Sequence, residues 1–306
     1  MLTHTQSDGS LTPDRVVVVG AGGFVGSAIV NGLGTAGIPT VAVARAQVDL
    51  LAADASEKLS AMLVPGDVVV FVSAVAPAKT SAQLLTNLTM ARAGAVAFAG
   101  VPPSHLLYIS SDAVYVDDAN PVTEASPVAP STIHGMMHAA RELIFRTEAR
   151  APFAVLRPTL IYGAADPHGG YGPNRFRRQA ASGDPITIFG EGEERRDHVA
   201  VEDVARLVVR MIRHGSVGVL NAVTGVSTSF HDIAHMVAAN FTPAAVVQPV
   251  SRPGPRPHLL HRFFDITSCY QAFPDFHFER LPDGLARVHR EVAAANGKGT
   301  VRVGAS

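Results

Sequence analysis

Residues 16–26 constrain this chain more than any other stretch. Four valines, Val16 to Val19, have the composition of a strand buried on both faces, and Gly20-Ala21-Gly22-Gly23-Phe24-Val25-Gly26 follows directly. The next residues, SAIVNGL, begin a helix. A strand, a glycine turn and a helix start together make a cradle for a dinucleotide pyrophosphate. Gly20 permits the turn, Gly23 lets backbone approach phosphate, and Gly26 lets the helix pack against the strand. With Phe24 and Val25 they form the expected cofactor cradle. The glycines alone would suit a tight turn in another α/β protein; the strand before and the helix after point to a dinucleotide.

The composition narrows the class. The chain has 306 residues, 47% hydrophobic and 17% charged, which predicts a compact core large enough for one big domain or two unequal ones. A net charge of −1 without a long basic run argues against a nucleic-acid partner. One cysteine, Cys269, allows no internal disulfide and supports no metal site. No apolar run reaches membrane-spanning length, so no membrane partner is expected. Residues 1–14 are polar and do not have the pattern of a signal peptide, so they are expected to be a flexible tail on a cytoplasmic protein.

Further along, TVAVAR at 40–45 reads as the second strand. The residue at its end meets the adenosine ribose. A carboxylate there favours NAD, and a cation favours the 2′-phosphate of NADP. Arg45 stands there, so NADP(H) is preferred and NAD(H) is the alternative; a solvated arginine at a strand end is the plainer reading. Asp49 is placed to meet the adenine amino group, beside Leu50. The apolar run at 67–73 is a further strand, and Ser73-Ala74-Val75 supplies small residues where backbone would pass the cofactor. A helix is expected over 81–99, with Asn87 a surface polar residue in it. HLLYIS at 105–110 is a strand running into Ser111 and Asp112, at the carboxyl end where doubly wound sheets bind ligands. An Asp-capped turn would use the same residues.

A helix over 132–150 carries His134 and His138 one turn apart on one face. The intervening residues, HGMMH, lack the glutamate of a zinc peptidase motif and no third ligand is evident, so no metal is expected. Residues 164–174 form a glycine- and proline-rich loop, and a second, smaller α/β portion follows. The overall expectation is α/β, a Rossmann-type doubly wound parallel sheet with a smaller C-terminal α/β substrate-binding domain. The dinucleotide domain is placed at 15–160 with 196–225 returning to it, and the substrate domain at 161–195 and 226–306.

Five segments resemble the extended short-chain dehydrogenase/reductases, the NAD(P)-dependent epimerase/dehydratase-like enzymes: GAGGFVG at 20–26, YISSDAVY at 108–115, HGMMHAARE at 134–142, LRPTLIYG at 156–163 and ITIFGEGEERRDHVAVEDVA at 186–205. The chain is similar to nucleotide-sugar ketoreductases and epimerases within that group. The resemblance implies that Ser111 hydrogen-bonds the reacting oxygen and that Asp112 matches an acid of the sugar dehydratases. Ala113 stands in place of their glutamate, which counts against 4,6-dehydration. It also implies that Tyr162, Asn174, Arg196 and Arg256, or Arg252, face a nucleotide-sugar substrate, the arginines holding its diphosphate by forked bonds. A homodimer through the helices at 81–99 and 132–150 is a further implication.

The chain departs from the pattern where Tyr-x-x-x-Lys is expected: it has His134-Gly135-Met136-Met137-His138. An unperturbed imidazole titrates near pH 6.5, so His134 is able to exchange a proton near neutrality without a lysine beside it. His138 would offer one hydrogen bond to a ribose hydroxyl, without a lysine's fixed charge. The sequence therefore supports an NADP(H)-dependent oxidoreductase or epimerase with Ser111, His134, His138 and Asp112 at its centre. The alternative is a protein of the same fold that binds a dinucleotide without hydride transfer, or uses His134 for redox-neutral acid–base chemistry.

Overall fold

The computed structural model describes residues 2–118, 120–254 and 259–299. The chain divides into two compact units: Met1–Thr159 with Val201–Val223 and Asp265–Phe276, and Leu160–Ala200 with Thr224–Phe264 and His277–Ser306. The first unit therefore takes back a segment at 265–276 that was expected in the second.

The first unit opens with β1 (Thr3–His4), β2 (Val16–Val19), α1 (Phe24–Thr35), β3 (Thr40–Val43), α2 (Ala55–Met62), β4 (Val68–Phe71), α3 (Ser81–Gly100), β5 (His105–Ile109), α4 (Ile133–Glu148) and β6 (Phe153–Pro158). The second unit then supplies β7 (Leu160–Tyr162), α5 (Pro173–Ala181), β8 (Ile186–Phe189) and β9 (Arg195–Ala200). α6 (Val201–Arg213) and β10 (Ser216–Ala222) return to the first unit. β11 (Ser227–Ser229), α7 (Phe230–Ala238) and β12 (Val247–Val250) belong to the second, α8 (Thr267–Ala272) to the first and α9 (Leu281–Gly299) to the second.

Among the described residues, the first unit builds a seven-stranded sheet in the order β1-β10-β6-β5-β4-β2-β3. Every pairing from β10 to β3 is parallel. The valine run of β2 is fully buried at its centre, as a strand covered on both faces requires. The reversal of strand order falls between β2 and β4, where a doubly wound sheet opens its ligand crevice. Below it lies a core of Val17, Val69, Phe71, Phe98, Tyr108 and Phe145, with the Phe71 and Phe145 rings 4.8 Å apart.

Residues 3–4 differ from the loose tail expected of 1–14. They add an antiparallel edge strand to β10, pairing Thr3 with Val217 and His4 with Ser216. His4 Nδ1 lies 2.9 Å from Ser216 Oγ, its Nε2 lies 3.1 Å from the Ala272 carbonyl, and its ring packs on Phe273. The open backbone edge of β10 is the partner that a polar sequence gives no hint of.

The second unit has two small sheets, β11-β9-β7 and β12-β8, among its described residues. Its core gathers Tyr162, Phe176, Ile186, Ile188, Phe230, Ile233 and Leu285.

Candidate functional site

The glycine cradle forms where the sequence places it. Gly20 ends β2 with φ +101, a conformation open to glycine. A Cβ on Gly26 would lie 2.1 Å from the Gly20 carbonyl oxygen, so helix and turn meet only because that side chain is missing. Gly23 caps α1 without any side-chain bond, which leaves the first-turn N–H groups of the helix, beginning at Phe24 and Val25, uncapped by side chains. A Cβ on Gly20 would strike Ser73 N at 2.5 Å, so the cradle also abuts the loop after β4. These observations fit a bound dinucleotide.

Arg45 follows β3 and is 81% exposed. Its guanidinium meets Asp49 Oδ2 at 3.1 Å, while Asp49 Oδ1 accepts the Leu51 N–H at 3.1 Å. The Leu51 N–H and then Arg45 hold the Asp49 carboxyl below its ordinary range. Leu50 beside it is buried. Val48 and Asp49 have no regular secondary structure, and turn resumes at Leu50.

Two buried side chains hold the loop Ser73-Ala74-Val75. Asn87, expected at the surface, is fully buried instead. Its Oδ1 accepts the Val75 N–H at 2.9 Å and its Nδ2 donates to the Val75 carbonyl at 3.0 Å, because that face of α3 packs inward under the loop. Arg141 donates to the Ser73 carbonyl at 2.5 Å and to Asn87 Oδ1 at 3.4 Å. Its guanidinium lies between the Phe71 and Tyr108 rings, 5.3 and 5.2 Å from their centroids. Sequence reasoning passed over Arg141. Its spacing, three residues after His138 and seven after His134, puts all three on one helix face, and that was the available signal.

β5 delivers Ser111 and Asp112 into a single 3₁₀ turn. Ser111 Oγ accepts the Ala113 N–H at 3.1 Å and lies 3.4 Å from Asp112 Oδ1. The Asp-capped reading is thereby replaced by a Ser-capped one. α4 packs directly on this turn: a Cβ on Gly135 would be 2.0 Å from the Ala113 carbonyl oxygen. Thr132 caps α4 by accepting the Gly135 N–H. His134, in the first turn, has Nδ1 3.5 Å from the Ala78 N–H. Cradle, loop 73–78, Ser111 turn and the start of α4 thus adjoin in sequence of contact.

His138 lies one turn further along α4 and packs against Tyr108. It is 5% exposed, and its Nδ1 lies 2.7 Å from the Tyr108 hydroxyl. The ring meets His134 edge-on with centroids 4.8 Å apart. Burial pushes its pKa well down, and His134 and Arg141 act in the same direction. Burial raises the Tyr108 hydroxyl above its ordinary range, so Tyr108 stays protonated. The pair leaves Nε2 as the remaining ring nitrogen of His138. Beneath it, Glu142 accepts from Arg157 at 2.9 and 2.6 Å and from Ser110 Oγ at 2.6 Å, locking α4 to β5 and β6.

The remaining expected residues belong to the second unit. Tyr162 is buried against Gly284. Asn174 donates its amide to Asp166. Arg196 is buried, bonded to the Leu259 and Leu260 carbonyls at 2.6 and 3.1 Å and to Glu194 at 2.7 Å. Arg252 meets the same carboxylate at 2.6 Å. Arg256 lies outside the described residues. Among the described residues, no cluster of three or more His, Cys, Asp or Glu could hold a metal ion, and no helix is long and apolar enough to cross a membrane.

A profile of the NAD dependent epimerase/dehydratase family matches residues 16–224, and the chain belongs to that family. The dTDP-glucose 4,6-dehydratase of Neisseria gonorrhoeae is 30% identical over 122 residues, which span 36% of this chain and 34% of that protein. Solved structures share the fold. An epimerase from Methanothermobacter thermautotrophicus superposes with TM-score 0.83 at 18% identity, covering 97% of each chain. A GDP-L-fucose synthetase from Naegleria fowleri bound to NADP does so with TM-score 0.80 at 15% identity, covering 94% of this chain and 95% of that one.

Proposed function

We propose that the chain is an NADP(H)-dependent oxidoreductase or epimerase acting on a nucleotide-activated sugar or a related hydroxy or keto biosynthetic intermediate. The observation that carries this reading is the adjacency of the glycine cradle, the Ser73–Val75 loop, the Ser111 turn and His134. When bound, the dinucleotide supplies or accepts hydride. Gly20, Gly23 and Gly26, with the backbone N–H groups of Phe24 and Val25, hold its pyrophosphate. Arg45 pairs with the 2′-phosphate, which must compete with Asp49 for the guanidinium. Ser73, Ala74 and Val75 line its path.

Ser111 donates its hydroxyl hydrogen to the reacting oxygen, and His134 exchanges a proton with that oxygen. The Ala78 N–H facing Nδ1 at 3.5 Å favours the Nε2-protonated form of the neutral His134 ring, and Nε2 is the nitrogen assigned here to the substrate. The one hydroxyl hydrogen of Ser111 faces Asp112 Oδ1 at 3.4 Å and turns from there to the reacting oxygen. His138 reaches the cofactor side only through Nε2, so the contact to ribose is a single hydrogen bond. The homodimer, through the exposed faces of α3 and α4, and a cytoplasmic setting belong to the same proposal.

The burial of His138 against Tyr108 favours one competing reading, a dinucleotide-binding protein of this fold without hydride transfer. One titration separates them. NADPH and NADP are added while nicotinamide fluorescence is followed, then a panel of keto-sugar nucleotides and free hydroxy-ketones is supplied. Binding followed by oxidation of NADPH is expected. Tight binding with no oxidation by any carbonyl compound overturns the oxidoreductase reading, and no binding overturns both.

A further inference from the structure

Resting on that reading and sharpening its substrate, we infer that Glu194 is a built-in anion filling the arginine clamp of the second unit, and that the chain acts on a hydroxy or keto substrate carrying no diphosphate. Arg196 and Arg252 are the described arginines expected to grip a diphosphate. Both converge on Glu194, which takes Arg196 on Oε1 at 2.7 Å and Arg252 on Oε2 at 2.6 Å. The carboxylate side chain is 10% exposed, that of Arg196 8% and that of Arg252 22%, so the Arg196 contact is buried and the Arg252 contact half-buried.

The donor inventory leaves Arg196 little to offer. Its two terminal nitrogens carry four hydrogens. Nη1 donates to the Arg195 carbonyl at 2.7 Å and to the Leu260 carbonyl at 3.1 Å. Nη2 donates to the Leu259 carbonyl at 2.6 Å and faces Glu194. A forked grip on a phosphate would break several of these bonds at once. Arg252 is held over the Phe189 ring, 4.9 Å from its centroid, while it pairs with Glu194. The same arrangement recurs at Asn174. Its amide already donates to Asp166, a buried carboxylate that also meets His168 Nδ1 at 2.7 Å. Both arginines expected to meet a diphosphate, and the substrate-facing Asn174, are thus each matched by a carboxylate of their own unit.

A diphosphate brought to this clamp would meet the Glu194 charge, or would have to expel it and leave a buried carboxylate without its cations. A neutral hydroxy or keto compound pays neither penalty. The clamp then serves as structure: it ties the segment before β9 to the chain at 252 and 259–260.

The test uses the full chain saturated with NADPH and titrates UDP, dTDP and GDP as probes by calorimetry. The wild-type protein is expected to give no binding heat, and Glu194→Gln, which keeps the shape and removes the charge, to bind at least one probe about tenfold tighter or more. Wild-type binding as tight as that of the variant overturns the inference, and so does a folded variant that gains nothing. A variant that fails to fold leaves the wild-type titration decisive: heat overturns, silence supports. NADPH binding, followed by its oxidation with the carbonyl panel, both read by fluorescence before each titration, reports separately on the oxidoreductase reading.

Discussion

At the scale of single residues, the proposed chemistry rests on Ser111 and Arg45. Ser111 adjoins Asp112, and its hydroxyl caps its own turn through the Ala113 N–H. A donor aimed at a developing oxyanion contributes about a hundredfold or more to turnover. Ser111→Ala is therefore expected to lower kcat by about that factor while NADPH affinity stays unchanged; steady-state kinetics with a turned-over carbonyl substrate check it, and an unaltered kcat removes Ser111 from the mechanism. Arg45 is highly exposed and shares its charge with Asp49. A charge-assisted bond to the 2′-phosphate contributes about 1.5–3 kcal/mol, so Arg45→Ala should weaken NADPH roughly tenfold or more and leave NADH unaffected. Equal losses for both cofactors in a fluorescence titration would show that Arg45 does not read the phosphate. Both residues were legible in the sequence, because each sits where a strand ends. Arg141 was not. A helix position in a sequence does not say which face packs inward, and only the structure puts this guanidinium between Phe71 and Tyr108.

At the scale of elements, the site depends on how closely α4 approaches the turn after β5. Gly135 permits that approach: an added Cβ would lie 2.0 Å from the Ala113 carbonyl and 2.7 Å from Pro130 Cβ. Overpacking of this kind costs about 1–3 kcal/mol. Gly135→Ala should therefore lower the urea midpoint and also lower kcat, because relief requires α4 to back away from Ser111. A variant with the wild-type midpoint and turnover would show the contact to be soft. The sequence announced most elements of the large sheet through apolar runs, and it announced α3 and α4 through their length and spacing. It did not announce β7 or β11, three residues each, since so short a strand exists only through its pairing with β9. β1 is the same case on a different edge.

At the scale of the whole molecule, stability should depend on acid. Burial depresses His198 from 6.5 to about 4, so the folded chain holds it neutral where the unfolded chain binds a proton. The contribution is fully present above pH 6.5 and is lost as pH falls toward 4. The linkage amounts to roughly 3 kcal/mol across that window. His138 and His105 are depressed by burial as well and act in the same direction. Urea denaturation at pH 7.5 and pH 4.5 is expected to show the loss, and His198→Phe is expected to reduce it. An unchanged slope in that variant would assign the acid sensitivity to other groups.

The sequence by itself determined the strand–turn–helix cradle, the doubly wound sheet and the placing of His134 and His138 one turn apart on one helix, because these follow from local chemistry and periodicity. The tertiary structure alone decided what those groups touch. It turned His138 inward to Tyr108, gave Asn87 and Arg141 to the loop after β4, and matched Arg196 and Arg252 with Glu194. The physical reason is that a side chain's charge and hydrogen bonds are set by neighbours far along the chain: 30 residues separate Tyr108 from His138, and 68 separate Ser73 from Arg141.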